Sequence, residues 1–562
     1  MCKKTLFVCV VLFVIPFVVT AQKPGPYHHL DPKPYDPKVD VNTEMFISHW
    51  ELSMPRHSHG SLVERDIFTQ CGDDPLKPTK KGGVLTEIKR FSHASLDTGA
   101  STAPTTLKDE QEIFYIDSGK GRIKAGKKTA DLYGGVGVLM PPGIEFTMTN
   151  TGDEPLTMYV IVEPIPDGFN SNKEMLVRDE NIIPIGGTTG HWSHISTRLF
   201  VKEDGLAVIT GMAPVWYDPM TMGQPHSHGE GVEEIWFALR GDITLLLGKR
   251  ITKLLPGSGY KIPSNGKTPH SNINLTDEPI KLFWFMKSVP GGKVVPYANL
   301  DPKPYDPKTE VDMDMFISSW KESMPKKELG SIIVRDIFTR AEDDPLRPYT
   351  RGAVLNYLTG YTHGTLYPHL STTPSALKGE QKVFYICSGK GTVSAGGKTA
   401  DLHEGVGVLM PANLEFVIKN TCDEPLNMYI ITEPIPDGFQ PRKDMLVKDE
   451  KTIPISGTTG HWANITKRMF GRDDGLAMIL GMSPVWLAPM TMAQPHASDP
   501  VGVDVLWVAL KGDITTLLGK ELRKMPPGSA FKNPGDGRVY HANINVTNEP
   551  IKLFWTRTIA PE

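Results

Sequence analysis

The sequence predicts an all-β chain of barrels or sandwiches in which one long segment occurs twice. Short runs of β-branched and aromatic residues, such as EIFYI, LTMYVIV and IKLFWF, alternate with turns rich in Gly, Pro, Asn and Asp. This spacing is typical of barrels or sandwiches. The chain also repeats itself, because EQEIFYIDSGKG at Glu110 recurs as EQKVFYICSGKG at Glu380, a constant offset of 270 residues. So long a period indicates a repeated domain or domain pair and excludes a solenoid.

Length and charge narrow the class of protein. At 562 residues the chain is too long for one hydrophobic core, and domains of about 100–200 residues suggest three to five of them. The formal net charge of −4 favours neither nucleic acid nor an anionic membrane as a partner. Helical periodicity is sparse, and Glu44 to Ser53 is the best candidate for a short helix.

The first 21 residues have the pattern of a secretory signal peptide. Two lysines precede an apolar run, and a cleavage site of small residues ends at Ala21. The run is short for a spanning helix and is interrupted by Pro16. We therefore expect a mature chain from Gln22 onward that is secreted or periplasmic and has no membrane span.

The most informative stretch runs from Gln224 to Gly241 and reads QPHSHGEGVEEIWFALRG. His226 and His228 alternate, so on a strand they share one face, and Glu234 can join them after a turn. His270 lies in the later piece PGSGYKIPSNGKTPHSNIN and would come from a partner strand. A bare H-x-H is more often an exposed polar pair, but three imidazoles and one carboxylate form a ligand set for a divalent transition metal.

Together these two pieces resemble the two-part signature of the cupin superfamily. Glu234 and Gly241 fit the interval that closes the first cupin motif. The second motif is matched, with two small spacing departures, by Gly257, Pro263, Gly266, His270 and Asn274. The resemblance implies double-stranded β-helix barrels of jelly-roll type. It also implies that one metal is held by His226, His228, Glu234 and His270.

Each copy of the repeat divides into two cupin-like units. The interval from Glu112 to Gly119 matches that from Glu234 to Gly241, and NTGDEPLTMYVI echoes NLTDEPIKLFWF. We therefore predict two tandem bicupin copies. The predicted segments are the signal peptide at 1–21 and barrels at 22–170, 171–296, 297–440 and 441–562.

The first and third units lack the histidines. Pro104, Thr106 and Phe146 stand at the histidine positions of the first unit, although Glu112 is kept. In the third unit Lys382 replaces that glutamate. We expect the first barrel to be a structural core without metal and the third to be more degraded.

The fourth unit keeps part of the motif. His496 and His541 match two of the histidines, while Ser498 replaces the third. Val505, with Asp504 beside it, takes the place of the glutamate, and one residue is inserted in the loop before it. A site of His496, Asp504 and His541 would therefore be weaker, and we interpret it as decayed.

Four further histidines are interpreted as structural. His57 and His59 form a second H-x-H that the second copy lacks; we favour an exposed polar turn, with the mouth of a barrel as the alternative. His191 and His461 occur in TTGHW in both copies, which favours packing or hydrogen bonding over chemistry.

Two classes of function remain open. The first is an exported metal-dependent enzyme (isomerase or lyase, decarboxylase or dioxygenase) using one divalent ion, Mn, Fe, Zn or Ni, on a small carbohydrate or uronate, carboxylate or phenolic. The ligand set most resembles that of the oxalate and flavonol groups, and the catalytic residues stay unassigned. Ligand histidines need a partner for the other ring nitrogen, and Glu233 and Asn274 are candidates.

The second class is a non-catalytic exported bicupin that binds carbohydrate or serves a structural or storage role. Three barrels without a full set of metal ligands favour it. The complete ligand set of the second unit favours the enzyme. In either class the tandem copies predict a pseudo-two-fold monomer or a homodimer.

Overall fold

A computed structural model describes residues 30–72, 74–187, 191–288, 300–341, 344–458, 461–498 and 501–561. Within these ranges the chain is built of β-strands and contains no α-helix, which confirms the predicted all-β class. The short 3-10 helices are Thr43–Phe46, Trp50–Leu52, Lys202–Asp204, Met313–Phe316, Trp320–Glu322 and Arg472–Asp474. The predicted signal peptide, 1–21, lies outside the described residues. In the described part no helix has the length and apolar character needed to cross a membrane.

The strands form four units, which we call the first to fourth barrels, each with a larger and a smaller sheet. The larger sheet of the first barrel contains Arg56–Ser58, Leu62–Gln70, Gly83–Leu85, Arg90–Leu96, Glu110–Ser118, Val136–Met140, Leu156–Pro164 and Leu176–Asp179. Its smaller sheet contains Thr105–Thr106, Lys120–Ala125, Lys128–Tyr133 and Glu145–Asn150. The larger sheet of the second barrel contains Ile47–His49, Ile195–Ser196, Phe200–Val201, Gly211–Tyr217, Glu233–Arg240, Ser258–Lys261 and Ile280–Lys287. Its smaller sheet contains Thr221–Met222, Ile243–Leu247, Arg250–Leu254 and His270–Asn274.

The second copy repeats this order. The larger sheet of the third barrel contains Lys326–Glu328, Ile332–Arg340, Ala353–Leu355, Gly360–Leu366, Glu380–Ser388, Val406–Met410, Leu426–Pro434 and Leu446–Asp449. Its smaller sheet contains Ser375–Ala376, Gly391–Ala395, Lys398–Leu402 and Glu415–Asn420. The larger sheet of the fourth barrel contains Ile317–Ser319, Asn464–Thr466, Phe470–Gly471, Ile479–Leu487, Asp504–Lys511, Ser529–Asn533 and Ile551–Thr558. Its smaller sheet contains Thr491–Met492, His496–Ala497, Ile514–Leu518, Glu521–Met525 and Tyr540–Asn545.

One strand at the start of each copy belongs to the later barrel of that copy. Ile47–His49 pairs antiparallel with Ser258–Lys261, and Ile47 lies opposite Tyr260. The expected helix over 44–53 is therefore wrong, since its centre is a strand. Pairing with a distant sheet edge outweighs local preference there. The predicted barrel boundaries stay predictions, and this exchanged strand links the barrels on either side of them.

The two barrels of each copy share a hydrophobic core. In the first copy the ring of Phe91 lies 5.4 Å from Phe237 and 5.1 Å from Phe285, centroid to centroid. Tyr115 and Phe283 are 4.4 Å apart. These rings come from the larger sheets of both barrels, and each such pair contributes about 0.5–1.5 kcal/mol beyond the area it buries. The paired barrels are thus held together as one body.

The two copies contact each other in a reciprocal way. Trp192 Nε1 in the first copy donates to the backbone oxygen of Asp301 in the second at 2.5 Å. Trp462 Nε1 in the second copy donates to the backbone oxygen of Asp31 in the first, also at 2.5 Å. Both tryptophans lie in a buried cluster that also contains Met222 of the second barrel and its counterpart in the fourth, Met492. The second and fourth barrels therefore face each other.

Candidate metal site

The four predicted metal ligands meet in the second barrel. The ligand atoms of His226, His228, Glu234 and His270 lie within 4.8 Å of one another. His228 Nε2 is 2.5 Å from Glu234 Oε2, and His270 Nε2 is 3.6 Å from Glu234 Oε1. Among the described residues this is the one group of three or more His, Cys, Asp or Glu side chains so arranged. That it binds a metal stays a prediction.

Backbone pairing holds the ligands in place. His226 and His270 form an isolated β-bridge, in which His270 N donates to His226 O at 2.9 Å and His226 N donates to His270 O at 3.3 Å. Gly266 N donates to His228 O at 2.7 Å. Glu234 lies on the strand Glu233–Arg240. The two loop histidines are therefore fixed by main-chain bonds to His270 and to Gly266, in the loop that leads to the strand of His270.

Burial sets the protonation states of the group. His226 is 8 % exposed and His270 is 2 % exposed. Burial holds the pKa of His226 well below 6.5 and lowers that of His270 despite the hydrogen bond to Glu234. Burial alone would raise the pKa of Glu234, but the charge and hydrogen bonds of His228 and His270 outweigh it and hold the pKa well below 4.5.

These side chains fit a divalent transition metal. Metal binding requires neutral imidazole and ionised carboxylate, and His226, His270 and Glu234 are held in those states. Three imidazole nitrogens with one carboxylate oxygen suit Zn, Mn, Fe, Ni or Cu.

The hydrogen bonds that orient the ligands come from neighbours that the sequence did not indicate. His226 Nδ1 donates to Gln224 O at 3.0 Å, which directs Nε2 towards the other ligands. Trp236 Nε1 donates to Glu234 Oε1 at 2.6 Å. Such contacts fix a ligand's orientation and basicity.

The expectation that Glu233 supports a ligand histidine is wrong. Its carboxylate accepts from the backbone N–H groups of Thr86, Glu87 and Ile88 at 2.7–3.1 Å and lies 3.7 Å from Lys261 Nζ. Neighbouring residues on a strand point to opposite faces. Glu233 therefore ties the second barrel to the first, while the next residue along the strand faces the metal site.

The expectation for Asn274 is also wrong. Its Nδ2 donates to the backbone oxygens of Tyr217, Asp218 and Glu278 at 2.8–3.2 Å, and its Oδ1 accepts from Thr276 N at 3.0 Å. Asn274 holds together the turns at the end of its strand. Both ends of its side-chain amide are thus bonded to these turns.

Two further histidines lie beside the cluster. The ring of His191 is 4.8 Å from that of His226 and 4.0 Å from that of His194. His191 Nδ1 donates to Gln224 Oε1 at 2.5 Å, and burial lowers its pKa to about 4. His194 is hydrogen-bonded to the Tyr217 hydroxyl, and burial holds its pKa well below 6.5. The TTGHW repeat was visible in the sequence, but no spacing rule linked it to the metal motif.

Comparison with known proteins assigns a family to two segments of the chain. Residues 92–162 and 215–286 match the cupin domain family, and these segments form the centres of the first and second barrels. Both matched segments are cupin domains. No curated protein sequence matches it significantly.

Solved cupin-like structures resemble parts of the chain at low identity. A putative glyoxylate-induced protein from Pseudomonas aeruginosa is 13 % identical with a TM-score of 0.36, over 46 % of this chain and 94 % of that one. Bacillus subtilis oxalate decarboxylase is 10 % identical with a TM-score of 0.35, over 45 % and 79 %. Momordica charantia 7S globulin is 12 % identical with a TM-score of 0.35, over 44 % and 86 %. At this level of similarity they carry no functional argument.

The fourth barrel keeps a histidine pair but not the third predicted ligand. The rings of His496 and His541 are 4.2 Å apart. Asp504 instead points to the opposite face of its strand, where its carboxylate lies 2.9 Å from Lys532 Nζ and accepts from Asn356 N at 3.0 Å. Including Asp504 in a weaker metal site was wrong. It stands at the place of Glu233, not of Glu234.

In the first cupin barrel, His59 is not part of an exposed turn. Its side chain is 7 % exposed, and its Nε2 lies 3.1 Å from Glu112 Oε2. Its ring contacts Phe114 and Phe146 inside the barrel. His57, two residues earlier, is exposed as expected. The expected exposure therefore holds for His57, which lies on the strand Arg56–Ser58. It is wrong for His59, because the chain turns inward after that strand.

The third barrel carries the opposite charge at the place of Glu112. Lys382, which replaces Glu112, lies 3.4 Å from Glu328 Oε2 and 3.2 Å from Thr432 Oγ1. Leu329 occupies the place of His59 and has the same positive φ of 46°. The first and third barrels thus hold different ion pairs at equivalent places in their interiors.

Proposed function

We propose that the second barrel binds one divalent transition metal and that the chain is a metal-dependent enzyme acting on a small oxygenated substrate. The observation that supports this most is the convergence of His226, His228, Glu234 and His270 within 4.8 Å. Such a cluster of buried titratable groups is costly in a barrel whose only role is structural. Carbohydrate or uronate, carboxylate and phenolic substrates all have oxygens suited to such a site.

The chemistry would be shared between the ion and its neighbours. A bound divalent ion supplies Lewis-acid polarisation of a carbonyl, carboxylate or enediol oxygen. His191 keeps its Nδ1–H on Gln224, so Nε2 of the neutral ring is an acceptor. An acceptor beside the metal ligands is placed to take a proton from a substrate hydroxyl or carbon acid. Tyr217 and His194 form a buried pair next to it.

Metal content is the first test. We expect about one metal per chain by elemental mass spectrometry of the purified protein. The His226→Ala/His228→Ala variant should lose it, and His496→Ala, the matched change in the fourth barrel, should keep it. A metal retained by the double variant would contradict the assigned site. A protein that neither carries nor takes up metal would remove the enzyme proposal and favour a binding or storage role.

Turnover is the second test. The metal-loaded protein would be incubated separately with a uronate, a small dicarboxylate and a catechol, and products followed by NMR. We expect turnover of one class, lost in the double variant and reduced in His191→Gln with metal content unchanged. Binding of a sugar without turnover would support the non-catalytic alternative.

We also propose that residues 1–21 direct export. The n-region, apolar run and cleavage site support this. Expression of the full chain in a secreting host, followed by N-terminal sequencing, should give a product that begins at Gln22. Intact protein retained in the cytosol would contradict export.

A further inference from the structure

The fourth barrel contains a cavity at the place where the second barrel has its metal ligands. Its volume is about 330 Å³, which lies within the range of small-molecule sites. His496 and His541 line it together with Val505, Trp507 and Arg557. Among the residues that the structure describes, no carboxylate lines this cavity.

A coupled pair of substitutions distinguishes this cavity from the metal site. In the second barrel Glu234 and Met286 are direct partners on neighbouring strands. In the fourth barrel the same pair of positions holds Val505 and Arg557. Direct partners in an antiparallel pair lie side by side on one face. One carboxylate has thus been removed and one guanidinium added at adjacent points of the same wall.

A buried tryptophan of the fourth barrel lacks the carboxylate acceptor that its counterpart in the second barrel has. In the second barrel Trp236 Nε1 donates to Glu234 Oε1. Trp507 stands at the same place in the fourth barrel, is 2 % exposed, and its Nε1 has no hydrogen-bond partner among the described residues. A buried donor without an acceptor is costly. The cavity therefore offers an indole N–H and a guanidinium where the second barrel has its own carboxylate.

We propose that the fourth barrel is a metal-independent binding site for a small organic carboxylate. The ligand's carboxylate would take the place of the missing Glu234 group, accepting from Trp507 Nε1 and pairing with Arg557, whose planar donor set matches a carboxylate. Its apolar body would pack against Val505 and Trp555, which also line the cavity. This proposal concerns a different barrel from the metal site and does not rest on the enzyme function.

Calorimetric titration of the purified full chain with benzoate tests the proposal, with benzamide as the neutral analogue of the same shape. We expect benzoate to bind and benzamide to bind at least about tenfold more weakly, the loss expected for a hydrogen-bonded charge. Arg557→Met installs the residue of the second barrel, and Val505→Glu restores its carboxylate. Each change should weaken benzoate binding by about tenfold or more.

The His226→Ala/His228→Ala variant separates the two barrels. Benzoate binding that survives in this variant supports a site in the fourth barrel. Binding lost with the metal ligands would place benzoate on the metal and overturn the proposal. Equal binding of benzamide, or benzoate binding unchanged in both Arg557→Met and Val505→Glu, would overturn it as well. Because the two substitutions act on different strands, a folding defect in one leaves the other informative.

Discussion

The indole nitrogen of Trp236 lies 2.6 Å from Glu234 Oε1, on the same strand and two residues along. This contact holds one oxygen of the proposed acidic ligand in place, while the other faces His228. Loss of such an outer partner typically costs about 10–100-fold in metal affinity.

We therefore expect Trp236→Phe to weaken metal binding by about 10–100-fold with little change in fold. The measurement is a competition titration against a chelator of known affinity. Trp507→Phe is the matched control, because Val505 stands where that indole would meet a carboxylate. Equal losses in both variants would show that the indole acts through packing and not through Glu234.

The ion pair inside the first barrel predicts a pH-dependent stability. Burial lowers the pKa of His59, but the hydrogen bond and charge of Glu112, with the charge of Glu64, outweigh burial and the opposing Arg90 and raise the pKa above 6.5. A raised folded pKa adds stability below the unfolded value and loses it as pH rises through the folded value. The melting-temperature gap between the native protein and His59→Gln should thus be larger at pH 6 than at pH 8.5.

His57→Gln is the control for that experiment, because it removes an exposed imidazole two residues away. Its melting temperature should follow the native protein at every pH. A gap for His59→Gln that stays constant from pH 6 to pH 8.5 would mean that the imidazole contributes packing alone.

The pair Lys532 and Asp504 is fully buried, with side chains 0 % and 1 % exposed. Removing one partner leaves the other as an uncompensated buried charge, which costs about 3–5 kcal/mol. Lys532→Met should therefore lower the free energy of unfolding of the second copy, measured by urea denaturation, by an amount of that order.

The double variant Lys532→Met/Asp504→Asn should recover most of this loss, since Asn can still accept from the backbone of Asn356. A single variant as stable as the native protein would show that Asp504 finds another partner. Both outcomes can be read from the same denaturation curves.

The reciprocal tryptophans predict that the two copies act as one unit. Trp192→Phe and Trp462→Phe each remove one hydrogen bond and should cost similar amounts, about 0.5–1.5 kcal/mol. Differential scanning calorimetry would compare the two. Markedly unequal losses would contradict equivalent contacts between the copies.

Association of the copies can also be tested by cutting the chain. After cleavage at a protease site introduced between the two copies, the halves should still elute together. Light scattering before cleavage would then distinguish the pseudo-two-fold monomer from a homodimer. Halves that separate after cleavage would contradict a stable contact between the copies.

Local patterns in the sequence were enough for the fold class, the repeat and the four clustered side chains. Strand periodicity and turn residues are local properties. The predicted metal ligands come from two pieces of sequence, one with His226, His228 and Glu234 and one with His270. Strand pairing in a barrel brings the two pieces together. His226, His228, Glu234 and His270 could be named without coordinates because their spacing resembles the two-part cupin signature.

The corrections all concern contacts between elements distant in the chain. Glu233 and Asp504 were assigned to metal sites because they adjoin the acidic position, yet a strand sends neighbours to opposite faces, and both face the other barrel of their copy. His59 enters the first barrel to meet Glu112, far along the chain. The centre of the 44–53 segment, Ile47–His49, forms a strand because it pairs with residues more than 200 positions away.

The sequence by itself determined which residue types and spacings were available: an all-β repeat, one full set of predicted metal ligands and one partial set. Only the tertiary structure decided which side chains complete each site, because buried charges and donors take their partners from whichever strand packs nearest. Thus Trp236 was recognisable as a core residue, but its bond to Glu234, and the loss of that bond at Trp507, became visible only when the barrels were folded.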